Sequence, residues 1–356
     1  MWKRPIRAAV HLGLDQPRFR AFVEADLKAR RSARTVEKPR DDGSFIDRHG
    51  ISHPLDLSLR DRLKPEWRSM LDPEAASKPP SDEILRRRAR KAVTSAREAS
   101  TFVAAAVGSP LAGRILEVGC FDGAVAFQLA VRGGAEVVAS DMARYYVVQR
   151  PGEPEDSEIA RQQDALRAIR DRAAAAADAP PGSVRFVDDD IIASALEPDS
   201  FDAIVSFEVL EHLRRPAAAF AAMRGLLRPG GVAYHDYNPF FSLIGGHSLC
   251  TLDFPWGHAR LDHGDVERYL EERRPDAVAQ TLRFYDESLN RMTLADLRGA
   301  IEAAGLETLA VVPWSDRSLV GQLTPDVLPE VRRTYPTATI EDLLATFVSV
   351  VVRRPA

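Results

Sequence analysis

From residue 115 onward the chain alternates short apolar, β-rich runs with helix-like segments, and this alternation limits the folds open to it. The runs are 115–118, 136–140, 184–187, 203–207, 231–237, 308–313 and 346–352. Strands separated by helices and short turns predict right-handed crossovers, hence an α/β fold with a doubly wound, mainly parallel sheet of seven strands covered on both faces. In such sheets ligands bind beyond the carboxyl ends of the strands, where the strand order reverses.

The residues before the first run differ in character. Lys and Arg outnumber Asp and Glu by 23 to 15 over residues 1–100, and are outnumbered 25 to 37 over the rest. Pro17 followed by Phe19, Phe22, Val23 and Leu27 predicts an amphipathic helix over 17–33. Residues 35–80, rich in Pro, Asp, Ser and charge, read as an irregular arm. Ser81 with Asp82 and Glu83 starts a long helix whose apolar stripe (Leu85, Ala89, Val93, Ala96, Phe102, Val103) runs to Gly108. The expected division is a mostly helical basic extension over 1–107, serving as a lid or a handle for an anionic partner, and a ligand-binding domain over 108–356. The competing reading of "RRRARK" is a solvated helix face.

Composition excludes several classes. Two cysteines, Cys120 and Cys250, make no disulfide framework and no metal-ligand spacing, and no run of eighteen apolar residues would span a membrane. The first twenty residues lack a signal-peptide pattern, so the chain reads as cytoplasmic.

The stretch "RILEVGCFDGAVAFQLAVRGGAEVVASD" (114–141) reads as strand, glycine-bearing turn, helix and second strand. Glu117 closes the first strand. Gly119 allows a tight turn, and Gly123 lets the next helix approach until its backbone N–H groups face a ligand. Asp141 ends the second strand, where a carboxylate accepts both hydroxyls of a ribose. Only G-x-x-x-G is present, not the G-x-G-x-x-G of a pyrophosphate cradle, which suggests a ligand with a ribose and no phosphates.

On these residues the chain resembles the class I S-adenosylmethionine-dependent methyltransferases. "LEVGCFDG", "VVASD", "VRFVDDDI" and "FDAIVSFEVLEHL…LLRPGG" match that family's motifs in order and spacing over roughly 112–313. The resemblance implies a Rossmann-like fold and S-adenosyl-L-methionine as cofactor. It implies that Gly119 and Gly123 line the methionine end while Glu117 orders the loop, that Asp141 holds the ribose, and that Asp190 and Ile191 meet the adenine. Phe207, closing the fourth strand, then faces the cofactor. Phe121 departs from the family's middle glycine. Because a phenylalanine is strained at positive φ, the expectation is a turn with φ below zero there and the ring packed over the cofactor or an N-terminal helix.

Glu208, Glu211 and His212 stand at i, i+3 and i+4 and are expected to share a face. The resemblance offers two readings: a Mg²⁺-type ion, as in ubiquinone-pathway O-methyltransferases and small-RNA 3′-terminal ribose methyltransferases, or a metal-free cleft histidine. A lid is expected over 234–290, where Tyr234, Tyr237, Phe240, Phe241, Phe254 and Trp256 gather with His235, His247, His258 and His263. Methyl transfer to a hydroxyl needs a base, and His212 or His258 fits that role with Glu208 orienting it. The expected function is O-methylation of a small-molecule or glycan hydroxyl, the acceptor carrying an anionic portion. Two alternatives stand beside it. Metal-assisted terminal ribose methylation of RNA is opposed by the acidic body, and a non-catalytic binding or scaffold protein rests on Phe121 alone.

Overall fold

The computed structural model describes residues 43–65, 80–133, 136–148 and 155–356. The helix expected over 17–33 lies outside them. Part of the arm is ordered, contrary to expectation. Ser44–Ile46 (β1) and Ser52–Pro54 (β2) form an antiparallel hairpin, followed by the short helix Leu59–Leu63. Isolated apolar residues carry no strand periodicity, but Phe45, Leu55 and Leu59 are each buried against the rest of the chain.

The long helix α1, Asp82–Val107, begins where its cap predicts: the Ser81 side chain accepts from the Ile84 N–H, and Gly108 closes it in the left-handed conformation. It buries Leu85, Ala89, Ala92, Ala96, Ala99 and Val103. These positions alternate by four and three, and the small alanines let the helix lie close to the sheet.

Strand β3 (Arg114–Val118), helix α2 (Ala124–Gly133), β4 (Glu136–Asp141), helix α3 (Asp156–Ala176), β5 (Val184–Asp188), β6 (Phe201–Phe207), helix α4 (Pro216–Leu226) and β7 (Leu227–Tyr237) follow. Helices α5 (His263–Arg273), α6 (Val278–Glu287) and α7 (Leu294–Ala303) precede β8 (Glu307–Trp314), and α8 (Val327–Thr334) precedes β9 (Phe347–Arg353). The sheet has seven strands in the order β5-β4-β3-β6-β7-β9-β8. Strands β3 to β7 pair in parallel, and β9 runs antiparallel to both its neighbours. The order reverses between β3 and β6, so the crevice expected to hold a ligand opens beyond Val118 and Phe207.

Each inner strand reads as an apolar run because both faces of the sheet are covered there, while the edge strands β5 and β8 are more exposed. Ile115, Val137, Ala203 and Val232 meet α1, α2 and α3 on one face, while Leu116, Val138, Ile204 and Ala233 meet α4 and α7 on the other. The chain between β7 and β9 builds a second core with the β1–β2 hairpin: Phe240, Phe241, Phe254, Trp256, Tyr269 and Tyr285 pack there against Phe45, Leu55, Val327 and Leu343. Among the described residues no helix is long and apolar enough to cross a membrane.

The alanine stripe yields a test. Ala99 is fully buried between α1 and the sheet, so Ala99→Leu forces the helix outward and is expected to cost about 1–3 kcal/mol. A urea unfolding midpoint unchanged from wild type would show that α1 is not seated this way.

Candidate active site

Two cavities open at the carboxyl ends of the strands, on either side of the β3 and β6 loops. The first is lined by Val118, Gly119, Asp141, Met142, Tyr145, Asp189, Asp190, Ile191, Glu208, Val209, His212 and Leu213. The second lies under α1, lined by Arg88, Lys91, Glu98, Glu117, Gly119, Phe121, Asp122, Phe207, Glu208 and Asp236 among others. Gly119 and Glu208 border both, so the two form one bent groove.

The turn over residues 119–123 is pinned from four directions. Ser140 O accepts from the N–H of Gly119 at 2.8 Å and of Cys120 at 3.0 Å, and Cys120 O accepts from Gly123 N–H at 2.7 Å. Asp141 Oδ2 accepts from Phe121 N–H at 2.5 Å and its Oδ1 from Met142 N–H at 2.8 Å. Arg170 on α3 donates through Nε to Phe121 O at 2.9 Å. Gly119 has φ +71°, and a Cβ there would stand 2.3 Å from Val209 Cγ2; Gly123 has φ +72°, and a Cβ there would stand 2.6 Å from Phe186. Gly123 therefore serves the packing of α2 on the sheet and lines neither cavity.

Phe121 corrects one expectation. Its φ is +43°, not negative, and the hydrogen bonds on either side of it hold a conformation that costs on the order of 1 kcal/mol or more. Its ring leaves the first cavity clear and lies under the Arg88 guanidinium of α1, 5.2 Å from the ring centroid.

Glu208 corrects another. It has φ +56° and precedes a single 3-10 turn, Leu210–His212, so the helical spacing assumed for the three residues does not apply. Its carboxylate turns to Lys91 Nζ at 3.0 Å on α1, half-exposed, and it does not orient His212. His212 Nδ1 lies 2.5 Å from Ser288 O. A carbonyl only accepts, so Nδ1 carries the proton and Nε2 keeps its lone pair.

His258 does not reach the groove. It is buried in the second core with Nε2 2.8 Å from Phe240 O, which removes it as a base. His247 stands where His258 was expected, its ring 5.0 Å from that of His212. Glu211, His212 and His247 each offer one donor atom, all within 4.8 Å of one another. Glu211 Oε1 accepts from Asn238 N–H at 3.1 Å. Glu211 Oε2 and His247 Nε2 are buried without a hydrogen-bond partner among the described residues. His235 points into the core under the sheet, with Nδ1 2.8 Å from Ser206 Oγ. The six lid aromatics are likewise core: each is 2% exposed or less, and none borders the groove.

Burial dominates the electrostatics. It raises Glu117 to about 8, helped by the charges of Asp122 and Asp141, and Glu117 Oε2 has no hydrogen-bond partner among the described residues. Burial also raises Glu211 to about 8, and Asp236 to about 6 with Glu208 and Glu98 adding repulsion. It lowers His212 below its ordinary value against the pull of the Ser288 carbonyl, and lowers His247 far below. At neutral pH the two imidazoles are neutral and have a lone pair to give.

Sequence reasoning missed Arg88, Lys91, Glu98 and Asp236. Lys91 meets Glu208 across 117 positions, and no local pattern announces such a pair.

A crevice at the strand-order reversal, an aspartate closing β4 and a phosphate-free glycine turn define an α/β enzyme that binds a nucleoside cofactor. The family model described as a methyltransferase domain matches residues 81–311. The chain belongs to that family and is a class I S-adenosylmethionine-dependent methyltransferase. It is 34% identical over 133 residues to the ubiquinone biosynthesis O-methyltransferase of Xanthomonas campestris pv. campestris (strain B100), covering 37% of this chain and 46% of that one. It is 34% identical over 121 residues to the protein of that name from Neisseria meningitidis serogroup C (strain 053442), covering 34% and 42%. The matched region spans less than half the length of these curated relatives. The chain is also similar to Haemonchus contortus phosphoethanolamine N-methyltransferase 2 in complex with S-adenosyl-L-methionine, with 13% identity and a TM-score of 0.42 over 73% of this chain and 53% of that chain. The matched family region begins at residue 81, so α1 falls inside it although the sequence assigned it to the extension.

Two measurements check this geometry. Gly119→Ala drives a methyl into Val209 at positive φ and should weaken S-adenosylmethionine binding by about tenfold or more in calorimetric titration; wild-type affinity would count against the groove. Glu117→Gln tests the buried acid. Glu117 is held protonated in the fold up to about pH 8, whereas the unfolded chain loses that proton near its ordinary value. Its contribution to stability is full below that value and is lost as pH rises toward 8. Glu117→Gln should therefore match wild type near pH 4.5 and exceed it at pH 8 by on the order of a few kcal/mol, and parallel stability profiles would refute the assignment.

Proposed function

We propose that this methyltransferase acts on a hydroxyl of a small molecule or glycan, and that Glu211, His212 and His247 form the acceptor side of its site. S-adenosylmethionine, when bound, supplies a methyl group on a sulfonium. In this reading Asp141 accepts from the ribose hydroxyls, Asp190 and Ile191 meet the adenine, and Gly119, with Phe207 and Glu208, borders the passage to the second cavity. There Glu117 and Asp236 face the ammonium of the methionine tail, while Arg88 and Lys91 face its carboxylate. Phe121 is a wall of that cavity, tied down by Arg88.

The observation that carries the reading is the neutral His212 imidazole lining the groove, with the neutral His247 ring 5.0 Å behind it and a buried carboxylate with an unused oxygen beside them. A hydroxyl must lose its proton as the methyl arrives, and an imidazole whose other nitrogen is already pinned is fitted to take it. His212 Nε2 is that atom, with Ser288 O holding the tautomer. The similarity to O-methyltransferases of ubiquinone biosynthesis supports an oxygen acceptor.

A second reading is favoured by one observation, the two orphaned donor atoms of Glu211 and His247 within 4.8 Å of the His212 donor. These three side chains fit a divalent ion, and two imidazoles with one carboxylate suit Zn²⁺ or Mn²⁺ better than Mg²⁺. Such an ion would lower the pKa of a bound hydroxyl. Glu208, paired with Lys91, stands outside this set. The basic residues before 81 would serve as a handle for an anionic acceptor.

The test is methyl transfer to a panel of catechols, hydroxybenzoates and glycans, with and without chelator. His212→Ala and His247→Ala should each lower turnover about 100-fold while S-adenosylmethionine affinity stays within about threefold, and His258→Ala should lower the melting temperature instead. Wild-type turnover in both His212→Ala and His247→Ala would overturn the proposal.

A further inference from the structure

The turn that carries Glu211 and His212 cannot hold itself. It is a single 3-10 turn of three residues, and its closing bond, Leu213 N–H to Leu210 O, is long at 3.3 Å. Hydrogen bonds of this geometry are weak, and a turn this short offers its carbonyls few partners of its own. Three of them are satisfied by one residue nearly eighty positions away. Asn290 donates through its backbone N–H to Glu211 O at 2.8 Å, and through Nδ2 to Leu210 O at 2.6 Å and to Leu213 O at 2.9 Å. Its Oδ1 accepts from Met292 N–H at 3.1 Å, which fixes the carboxamide plane. Two residues earlier, Ser288 O accepts from His212 Nδ1.

We infer that Asn290 is a positioning residue, which clamps the Leu210–His212 turn so that His212 faces the groove beside the buried Glu211, with the His212 proton on Nδ1. This rests on the reading of those two side chains as the acceptor side of the site. The place asks for a side chain that donates to two carbonyls and accepts from Met292 N–H. An aspartate would set a carboxylate against two carbonyl oxygens, and a leucine of similar size would take the Nδ2 donor from Leu210 O and Leu213 O, leaving only the backbone bond to Glu211 O. The clamp also joins the two cores. Leu289 is buried in the second core and Met292 in the core under the sheet, so the strand of chain between α6 and α7 is anchored on both sides of the residue that grips the turn.

The experiment uses the full chain and reads the His212 ring directly. Long-range ¹H–¹⁵N correlation of the imidazoles, with His212 assigned by its loss in His212→Gln, should show one tautomer in the wild type, protonated at Nδ1. In Asn290→Ala the ring should become a mixture of tautomers while calorimetric S-adenosylmethionine affinity stays within about threefold. Transfer to the best acceptor of the panel should fall about tenfold or more in kcat with the KM for S-adenosylmethionine unchanged. Asn290→Ser, which keeps one donor, replaces the alanine variant if that one fails to fold, and should fall between it and wild type. A mixed tautomer in the wild type, or a fixed one with wild-type kcat in Asn290→Ala, overturns the inference. Undiminished transfer by His212→Gln instead overturns the reading of the site and leaves the clamp standing.

Discussion

The structure turns on the hydrogen bond from Phe121 N–H to Asp141 Oδ2. It ties the loop after β3 to the end of β4, and with Arg170 on the Phe121 carbonyl it holds a phenylalanine in a backbone conformation that residue does not choose. The loop can then pass under Val209 at Gly119 without closing the cavity beyond it. Asp141 is in this sense used before any ligand arrives. Its carboxylate shapes the turn and faces the nucleoside cavity at once, and a ribose would meet a group already oriented by two backbone donors. Organisation of this kind lowers the entropic cost of binding.

Strain gathers around the groove. Phe121, Glu208 and His247 all have positive φ, and they belong to three separate loops. Each is held by contacts from elsewhere: Phe121 by Asp141 and Arg170, Glu208 by the 2.7 Å bond of its N–H to Asp236 O and by Lys91, His247 by the short helix it begins. Non-glycine residues persist in this region where the surroundings over-determine them. Here the effect is to bring a side chain to a position that a regular strand-to-helix transition would have left to backbone. The acids nearby act in the same direction. Glu117 and Asp236 border the second cavity, where the proposed reading sets the ammonium of the cofactor, and burial keeps Glu117 protonated at neutral pH while raising Asp236 to about 6. A sulfonium and an ammonium would favour their ionised forms, so binding and proton release are linked.

How far the sequence disclosed this follows from the range of the interactions involved. The five inner strands could be read because each is buried on both faces and shows as an apolar run, the two edge strands from their β-rich composition, and α1 from its cap and stripe. Gly119 and Asp141 were legible for the same reason: a turn and a strand end are local events. The errors lie where geometry is set at a distance. Spacing i, i+3, i+4 put Glu208 with Glu211 and His212, but that inference assumes helical φ and ψ, and Glu208 has neither. His258 and His247 each follow a glycine in a loop, and nothing local distinguishes the one that packs against Phe240 from the one that faces His212. The hairpin at residues 44–54 escaped because its strands are three residues long and its partners lie some two hundred residues on.

The two halves of the groove therefore depend on different parts of the molecule. The cofactor half is made from the sheet and its first loops, contiguous in sequence and fixed by the parallel core. The acceptor half is borrowed: His247 comes from the chain between β7 and β9, whose core includes the β1–β2 hairpin, and the short helix beginning at His247 is gripped by Arg60 from the arm, through Ser248 O at 2.9 and 2.6 Å. At the mouth the two parts are tied by hydrogen bonds at Asn238 and at residues 288–290. In the proposed reading, specificity for the acceptor resides in a separately packed layer, and those ties set its register with the cofactor half.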